Sequence, residues 1–323
     1  MRPDRATRLE IGGFTQFQWS EGSEIGRFSV ARSRLQFKGR VSGDLRFEID
    51  LDAAELAGAD AAARDALKDV ILEGRTGPFR VRAGQFKKLF FMEEAVATRR
   101  LQILERGILS SWLRDLGYAG RDVGVEFGAR WEGGRFAAGV TGQVWNGEGD
   151  DLGREVDGAA DALVHVAIQR GETAGLEGAL QWKETESLES GPSRRATAAM
   201  ASGWIAWKNL RAEGEILDWR SDVSSDARFR DDRGWGARAL LAWERDKDLL
   251  GRFGAGLGVR GEYLEPNRDV SRGRADATAL WTPTATVFLD GQSRIRFGPR
   301  LTWYQDDTRS STTEWLAEWQ ISY

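Results

Sequence analysis

At 323 residues, with 46 basic and 50 acidic side chains and a net charge of −4, the chain has no global basic excess, which argues against broad nucleic-acid binding. Cysteine is absent and histidine occurs once, so there is no disulfide framework, no thiolate ligand or nucleophile, and no His-based metal cluster. No stretch approaches the ~18 consecutive apolar residues of a membrane-spanning helix, a limit that leaves β-strands untouched because they show lipid only half of their residues.

The N-terminal MRPDRATRLEIGG lacks the apolar centre of a signal peptide, which fits either a cytoplasmic chain or a mature form. From there apolar and polar residues take turns along nearly the whole sequence, the pattern of extended strands. In RLEIGGFTQFQWS, Leu9, Ile11, Phe17 and Trp19 share one face, opposite Glu10, Gln16 and Gln18. In FSVARSRLQFKGRV, Ala31, Leu35, Phe37 and Val41 oppose Arg32, Arg34, Lys38 and Arg40. DLRFEIDL sets Leu45, Phe47, Ile49 and Leu51 against Arg46, Glu48 and Asp50. The Ala-rich run 53–69 reads as a short helix without chemistry. FRVRAG then turns Phe79, Val81 and Ala83 one way and Arg80 and Arg82 the other.

Segment 89–120 breaks the period of two. Met92 to Leu116 is rich in helix formers, with apolar residues at spacings near three and four. A loop this long is usually functional; folded inward it would bring Arg99, Arg100 and Arg106 to a constriction, and the alternatives are an outer cap or an arm to a neighbouring subunit. Alternation resumes with Val123, Val125, Phe127, Ala129 and Trp131 against Asp122, Glu126 and Arg130. The acidic loop Trp145 to Gly158 lacks the ligand order of an EF-hand and reads as solvated surface. His165 lies on the polar face of ADALVHVAIQR with no evident Ser partner, so it reads as a lumen or structural residue. Later runs repeat the pattern up to Trp315, Ala317, Trp319, Ile321 and Tyr323.

Between these runs short turns (42–44, 75–78, 132–134, 170–174, 208–209, 245–248, 290–293) alternate with longer segments (20–26, 53–66, 89–120, 146–158, 185–195, 219–233, 264–273, 305–311). That is the layout of an antiparallel up-and-down β-barrel of sixteen strands crossing a membrane, as one domain over 1–323. A soluble all-β sandwich also alternates, but it fills its buried face with Leu, Ile and Val. Here the apolar faces are thin, with many Ala and Gly mid-strand and Trp and Phe toward strand ends, as at a lipid band and its interfacial girdles. The polar face carries charge on almost every strand, which implies a water-filled lumen rather than a packed core. Arginines on that face favour anions through the field they create; the alternative is that they pair with carboxylates across strands.

The runs RSRLQFKGRVSGDLRFEIDL (32–51), GPFRVRAGQFKKLF (77–90), TRRLQILERG (98–107), GRDVGVEFGARW (120–131) and FAAGVTGQVWNG (136–147) resemble the phosphate-selective porin O and P family of Gram-negative outer membranes. The first half carries the specific likeness, and the second half shares the general barrel pattern up to the terminal aromatic Tyr323. The resemblance implies a sixteen-stranded barrel, commonly trimeric, with the third long loop folded inward. It implies passive diffusion of small anionic, phosphate-like solutes, with lipid and lipopolysaccharide around the barrel, no cofactor and no enzymatic activity. The residues it marks as pore-lining or anion-binding are Arg32, Arg34, Arg80, Arg82, Arg99, Arg100 and Arg106, to which the polar-face pattern adds Lys38 and Arg130. Two other readings stay open: a barrel serving as anchor or sheath for a threaded partner, and a lipid-hydrolysing barrel, which suffers from having a single histidine.

Overall fold

The computed structural model describes residues 8–22, 26–56, 66–147, 160–185, 194–221, 233–245, 253–266, 276–290, 293–306 and 308–323. The first eight strands are β1 (Leu9–Glu21), β2 (Arg27–Ser42), β3 (Leu45–Asp52), β4 (Leu67–Thr76), β5 (Phe79–Lys87), β6 (Arg121–Gly133), β7 (Phe136–Trp145) and β8 (Asp161–Arg170). The others are β9 (Ala174–Thr185), β10 (Arg194–Trp207), β11 (Leu210–Ser221), β12 (Arg233–Arg245), β13 (Gly254–Glu265), β14 (Thr278–Asp290), β15 (Ser293–Tyr304) and β16 (Thr312–Ser322). Each pairs antiparallel with its sequence neighbours, and β16 returns to β1 with Phe14 opposite Ser322 and Glu21 opposite Trp315. The barrel is therefore closed, with no free edge. Sixteen strands in up-and-down order match the sequence reading.

Closure follows from the local signals. Gly77 and Gly134 turn at positive φ (55° and 60°) in two of the short connections, a geometry that suits hairpins and costs glycine nothing. The alternation then sends one set of side chains out. Phe127, Leu176, Ile205, Trp207, Leu257 and Trp303 are among the large apolar residues left exposed on the outer wall. A band of exposed apolar residues girdling a whole barrel is tolerable only against lipid. The band is uneven, because the outer face of β2 to β5 contains no tryptophan.

Several details differ from the sequence reading. Strands run from 8 to 16 residues, a wider spread than the ~9–11 of a minimal bilayer crossing. A bulge in β2 lets Gln16 face Arg32 while Phe17 faces Val30, so Ala31 drops out of the alternation. In the 53–69 run α1 (Ala53–Leu56) and Ala66 are helical among the described residues, and 67–69 already belong to β4. Positions 148–159 of the acidic loop lie outside the described residues.

The larger correction concerns the interior. It is not water-filled throughout. The inner faces of β7 to β13 carry Trp145, Leu163, Ala179, Ala198, Met200, Leu217, Trp219 and Leu264, buried in one cluster with Phe86, Phe90, Phe91, Leu109, Leu113 and Tyr118. The last five of these come from the segment between β5 and β6. It therefore folds into the barrel and makes half of the lumen a dry core.

The candidate permeation path and its inward loop

The inward loop is less helical than its composition predicts. It contains α2 (Met92–Ala95), a single 3-10 turn at Thr98–Arg100, and α3 (Ile108–Asp115). In α3, Leu109 and Leu113 sit four apart and so share the face laid on the apolar wall, while Trp112 meets Trp219 at 6.3 Å between ring centroids. Each leucine contributes roughly 1.5–3 kcal/mol by leaving water. Gly236 on β12 makes room for Leu109, since a Cβ there would collide with its methyl groups. The helix ends at Gly117 (φ 73°), where the Tyr118 amide donates to the Leu113 carbonyl and the Gly117 amide to that of Arg114, a Schellman closure.

The helix has no capping side chain of its own at Gly107. Its free amides are met from elsewhere: Gly107 N donates to Glu93 Oε2 (3.1 Å) and Ile108 N to Glu262 Oε2 on β13 (3.2 Å). Negative carboxylates at a helix N-terminus also meet its dipole favourably. Glu93 further accepts from Ser110 Oγ (2.8 Å) and from Arg260 Nη1 (2.5 Å). Burial alone would raise the Glu93 carboxyl, but Arg260 and Arg238, with Ser110 and the Gly107 amide, outweigh it and hold the group at about 2. Gly107 is itself a close approach, because a Cβ would strike the Glu262 carboxylate.

Other wall arginines bind the loop's backbone. Arg296 donates to the carbonyls of Leu101 (2.6 Å) and Ile103 (2.8 Å) while pairing with Glu318. Arg238 pairs with Glu213 and Glu215, and Glu215 accepts from Met92 N (2.6 Å). At the loop's base Lys88, fully buried, lies 3.0 Å from Asp122 and 3.6 Å from Asp161, and Lys183 donates to the Leu116 carbonyl. Unpaired charges in such a setting would be costly, so each is matched.

The opposite wall, β2 to β6, keeps its charges beside open space. A cavity of 830 Å³ is lined by Lys38, Arg40, Arg46, Glu48, Glu73, Arg75 and Arg82 with the end of β1. A second, of 780 Å³, shares Arg75 and reaches Arg80, Arg130, Thr141, His165 and Glu177. A third, of 610 Å³, opens toward the long-loop rim between α3 and β13 to β16, beside Trp112, Arg300 and Tyr304.

The candidate residues divide between these regions. Arg34 pairs with Asp50 (3.4 Å) and Asp52 (3.2 Å), and Lys38 with Glu48 (2.9 Å). Arg80 and Arg82 share Glu126, at 2.6 and 3.2 Å. Arg130 stands half-exposed at the short-turn rim beside Glu132. Arg32 reaches from the wall to the loop, where both Nη atoms donate to Glu105, each at 2.8 Å. Arg100 is exposed on the loop, and the carbonyl of Arg99 accepts from Arg294 and Gln320. Arg106 does not face the constriction as expected. Its guanidinium is buried within the loop against Glu94 and the carbonyls of Glu93 and Val96, and burial draws it down to about 10. The loop needs donors for those inward carbonyls: Arg106 supplies one to each, and Lys87 Nζ also donates to that of Val96 (3.0 Å). His165 faces the lumen 3.3 Å from Glu177.

Sequence reasoning passed over Glu93, Glu94 and Glu105. The first two follow FFM directly, and carboxylates in so apolar a run signal buried partners. Arg40 and Arg46 were recognised as polar-face residues without a role. They stand directly opposite one another on β2 and β3, and neither forms an ion pair among the described residues.

A closed sixteen-stranded barrel, apolar outside, with a loop narrowing a charged lumen, defines the class of outer-membrane channels. Residues 10–191 match the family model of the phosphate-selective porins O and P, and the chain belongs to that family. Membership places the barrel in the Gram-negative outer membrane as a transport channel. No curated protein sequence matches the chain. Among solved structures, a loop-deletion form of OmpT from Vibrio cholerae superposes with a TM-score of 0.66 at 10% identity, covering 99% of this chain and 100% of its own. An anion-selective porin from Comamonas acidovorans gives 0.64 at 11% identity, covering 98% and 100%. The outer-membrane channel DcaP of Acinetobacter baumannii gives 0.63 at 11%, covering 100% and 99%. At such identities these likenesses show the fold.

Proposed function

We propose that the protein is a passive diffusion channel whose water path follows the β2 to β6 wall and favours small oxyanions of the phosphate type. The observation that carries this is the facing pair Arg40 and Arg46, which lines the 830 Å³ cavity without a carboxylate partner among the described residues. Like charges directly opposite on a sheet repel, and a permeating anion relieves that repulsion. Most other cations on this wall are cancelled by Asp50, Asp52, Glu48, Glu73 or Glu126, so the surplus that remains is positive. Arg100 adds a further charge from the loop. Arg34, Lys38, Arg80, Arg82 and Arg130 act chiefly as fixed members of ion pairs, Arg32 is paired with Glu105 of the loop, and Arg106 acts as a loop brace. The anion selectivity named for the Comamonas protein is in keeping with this reading.

A homotrimer is the assembly we assign. The outer face of β2 to β5 has no tryptophan girdle, and near it Thr15 and Ser33 pair their hydroxyls on the outer wall (3.3 Å). Both features suit a protein neighbour better than lipid. OmpT of Vibrio cholerae, similar in fold, has been solved in trimer form. A threaded partner fits poorly, because the loop between β5 and β6 occupies the space it would need.

Planar-bilayer recording under a salt gradient tests the proposal. The expected reversal potential has the anion sign. A cation sign would remove the selectivity, and a folded protein without conductance would remove the channel.

A further inference from the structure

Glu105 is one of two non-glycine residues with positive φ among the described residues (51°), and it lies inside the loop rather than in a hairpin turn. A glutamate has no local reason to adopt that conformation, which crowds its Cβ. Three contacts hold it there. The Glu105 carbonyl accepts from Arg260 Nη1 (2.7 Å), the preceding Leu104 amide donates to Thr284 Oγ1 (3.3 Å), and Gly107 is locked against Glu93. Main-chain contacts on β13 and β14 thus fix the backbone, and the side chain is aimed away from them toward β2. There it meets Arg32 in a two-pronged pair, with Gln16 Oε1 also accepting from Arg32 Nη1 (3.1 Å).

Neither Arg32 nor Glu105 lines a cavity itself, but a residue further along the chain from each does. The 610 Å³ cavity begins at Ile108, just past Glu105 on the loop, and the 830 Å³ cavity begins at Lys38, further along β2 from Arg32 toward the short-turn rim. A fork of two parallel N–H donors is the arrangement with which a guanidinium takes any planar or tetrahedral oxyanion. Resting on the channel reading above, we propose that Arg32 is an anion-binding step in the path and that Glu105 is a tethered carboxylate occupying it, which a permeating oxyanion must displace. Glu105 then sets selectivity: it cancels Arg32 and competes with solute for the same two donors. The tether keeps the competitor at high local concentration, so its removal is felt at every solute concentration.

The test compares wild type with Glu105→Gln, Glu105→Gly and Arg32→Gln in planar bilayers. The Glu105 side chain does not hold the loop to β13, because Arg260 takes its carbonyl, and glycine tolerates the positive φ; heat-dependent gel migration confirms folding of each variant. Both Glu105 variants are expected to raise the anion-to-cation permeability ratio several-fold, and Arg32→Gln to lower it. Inorganic phosphate should block chloride current at several-fold lower concentration in Glu105→Gln than in wild type. A folded Glu105→Gln and Glu105→Gly pair with the wild-type ratio and wild-type phosphate block overturns the proposal. A wild-type channel that prefers cations sinks the parent reading alone, since the shift between wild type and Glu105→Gln would still report the tethered carboxylate.

Discussion

The two halves of the barrel wall use one sequence grammar to opposite ends. On β2 to β6 the inward positions hold charges that meet each other and a cavity. On β7 to β14 Leu163, Met200, Leu217, Trp219 and Leu264, with arginines such as Arg238 and Arg260, are covered by the loop, while Thr141, His165 and Glu177 stay on the 780 Å³ cavity. Period-two alternation decides only which residues point inward. Whether an inward residue meets water or protein depends on where the loop lies, and the loop lies where leucines and matched charges await it. The difference teaches that this lumen is eccentric, with a dry side that builds the constriction and a wet side that selects.

That contrast can be broken most severely at Arg260. Replacing it with alanine leaves Glu93 and Glu262 buried without their cation, a loss of about 3–5 kcal/mol for breaking such a pair. The loop should come away from β13, and single-channel conductance should rise sharply. An unchanged conductance would show that the loop does not narrow the path. Leu113→Ala acts on the apolar half of the same contact and should cost ~2–5 kcal/mol, read as faster proteolysis of the loop in the folded barrel. On the wet side, Arg40→Ala with Arg46→Ala should reduce the anion-to-cation ratio several-fold while barrel stability holds or improves, since two facing like charges are removed. Reversal potentials and heat-dependent gel migration check the two arms.

Acid provides the gentlest probe. Glu93 is held below its ordinary 4.5, at about 2, and Glu105 is also lowered: burial would raise it, but its bonds to Arg32 outweigh that. A depressed carboxyl stabilises the docked loop fully above its undocked value, and that contribution is lost as pH falls through the docked one. Conductance should therefore stay level from neutrality down to about 4.5 and become larger or noisier only as pH approaches about 2. Opening above that window would mean that other groups hold the loop.

How much of this was legible follows from the same physics. The strands and their order were readable because hairpin turns and alternation are local. The dry wall was not. In ALLAW (239–243) Leu240 points in and Leu241 out, so the run reads as continuously apolar and period two cannot say that the inner face is covered. Arg106 was misplaced because an arginine in a loop looks solvated until the carbonyls it must satisfy are seen. The pairing of Arg32 with Glu105 joins residues 73 positions apart through a backbone angle that no glutamate advertises. Arg34, Lys38, Arg80 and Arg82 were correctly read as inward, and the open question of whether they pair is answered by Asp50, Glu48 and Glu126.

The absence of native cysteine allows the central claim, a wet wall facing a dry one, to be tested by single introduced thiols. Arg46→Cys on β3 and Ala198→Cys on β10 both point inward, but the first borders the 830 Å³ cavity, while the second lies in the core under the loop. With a charged methanethiosulfonate reagent added during bilayer recording, a step in current is expected for Arg46→Cys and none for Ala198→Cys. Rapid modification at Ala198→Cys with none at Arg46→Cys would contradict it.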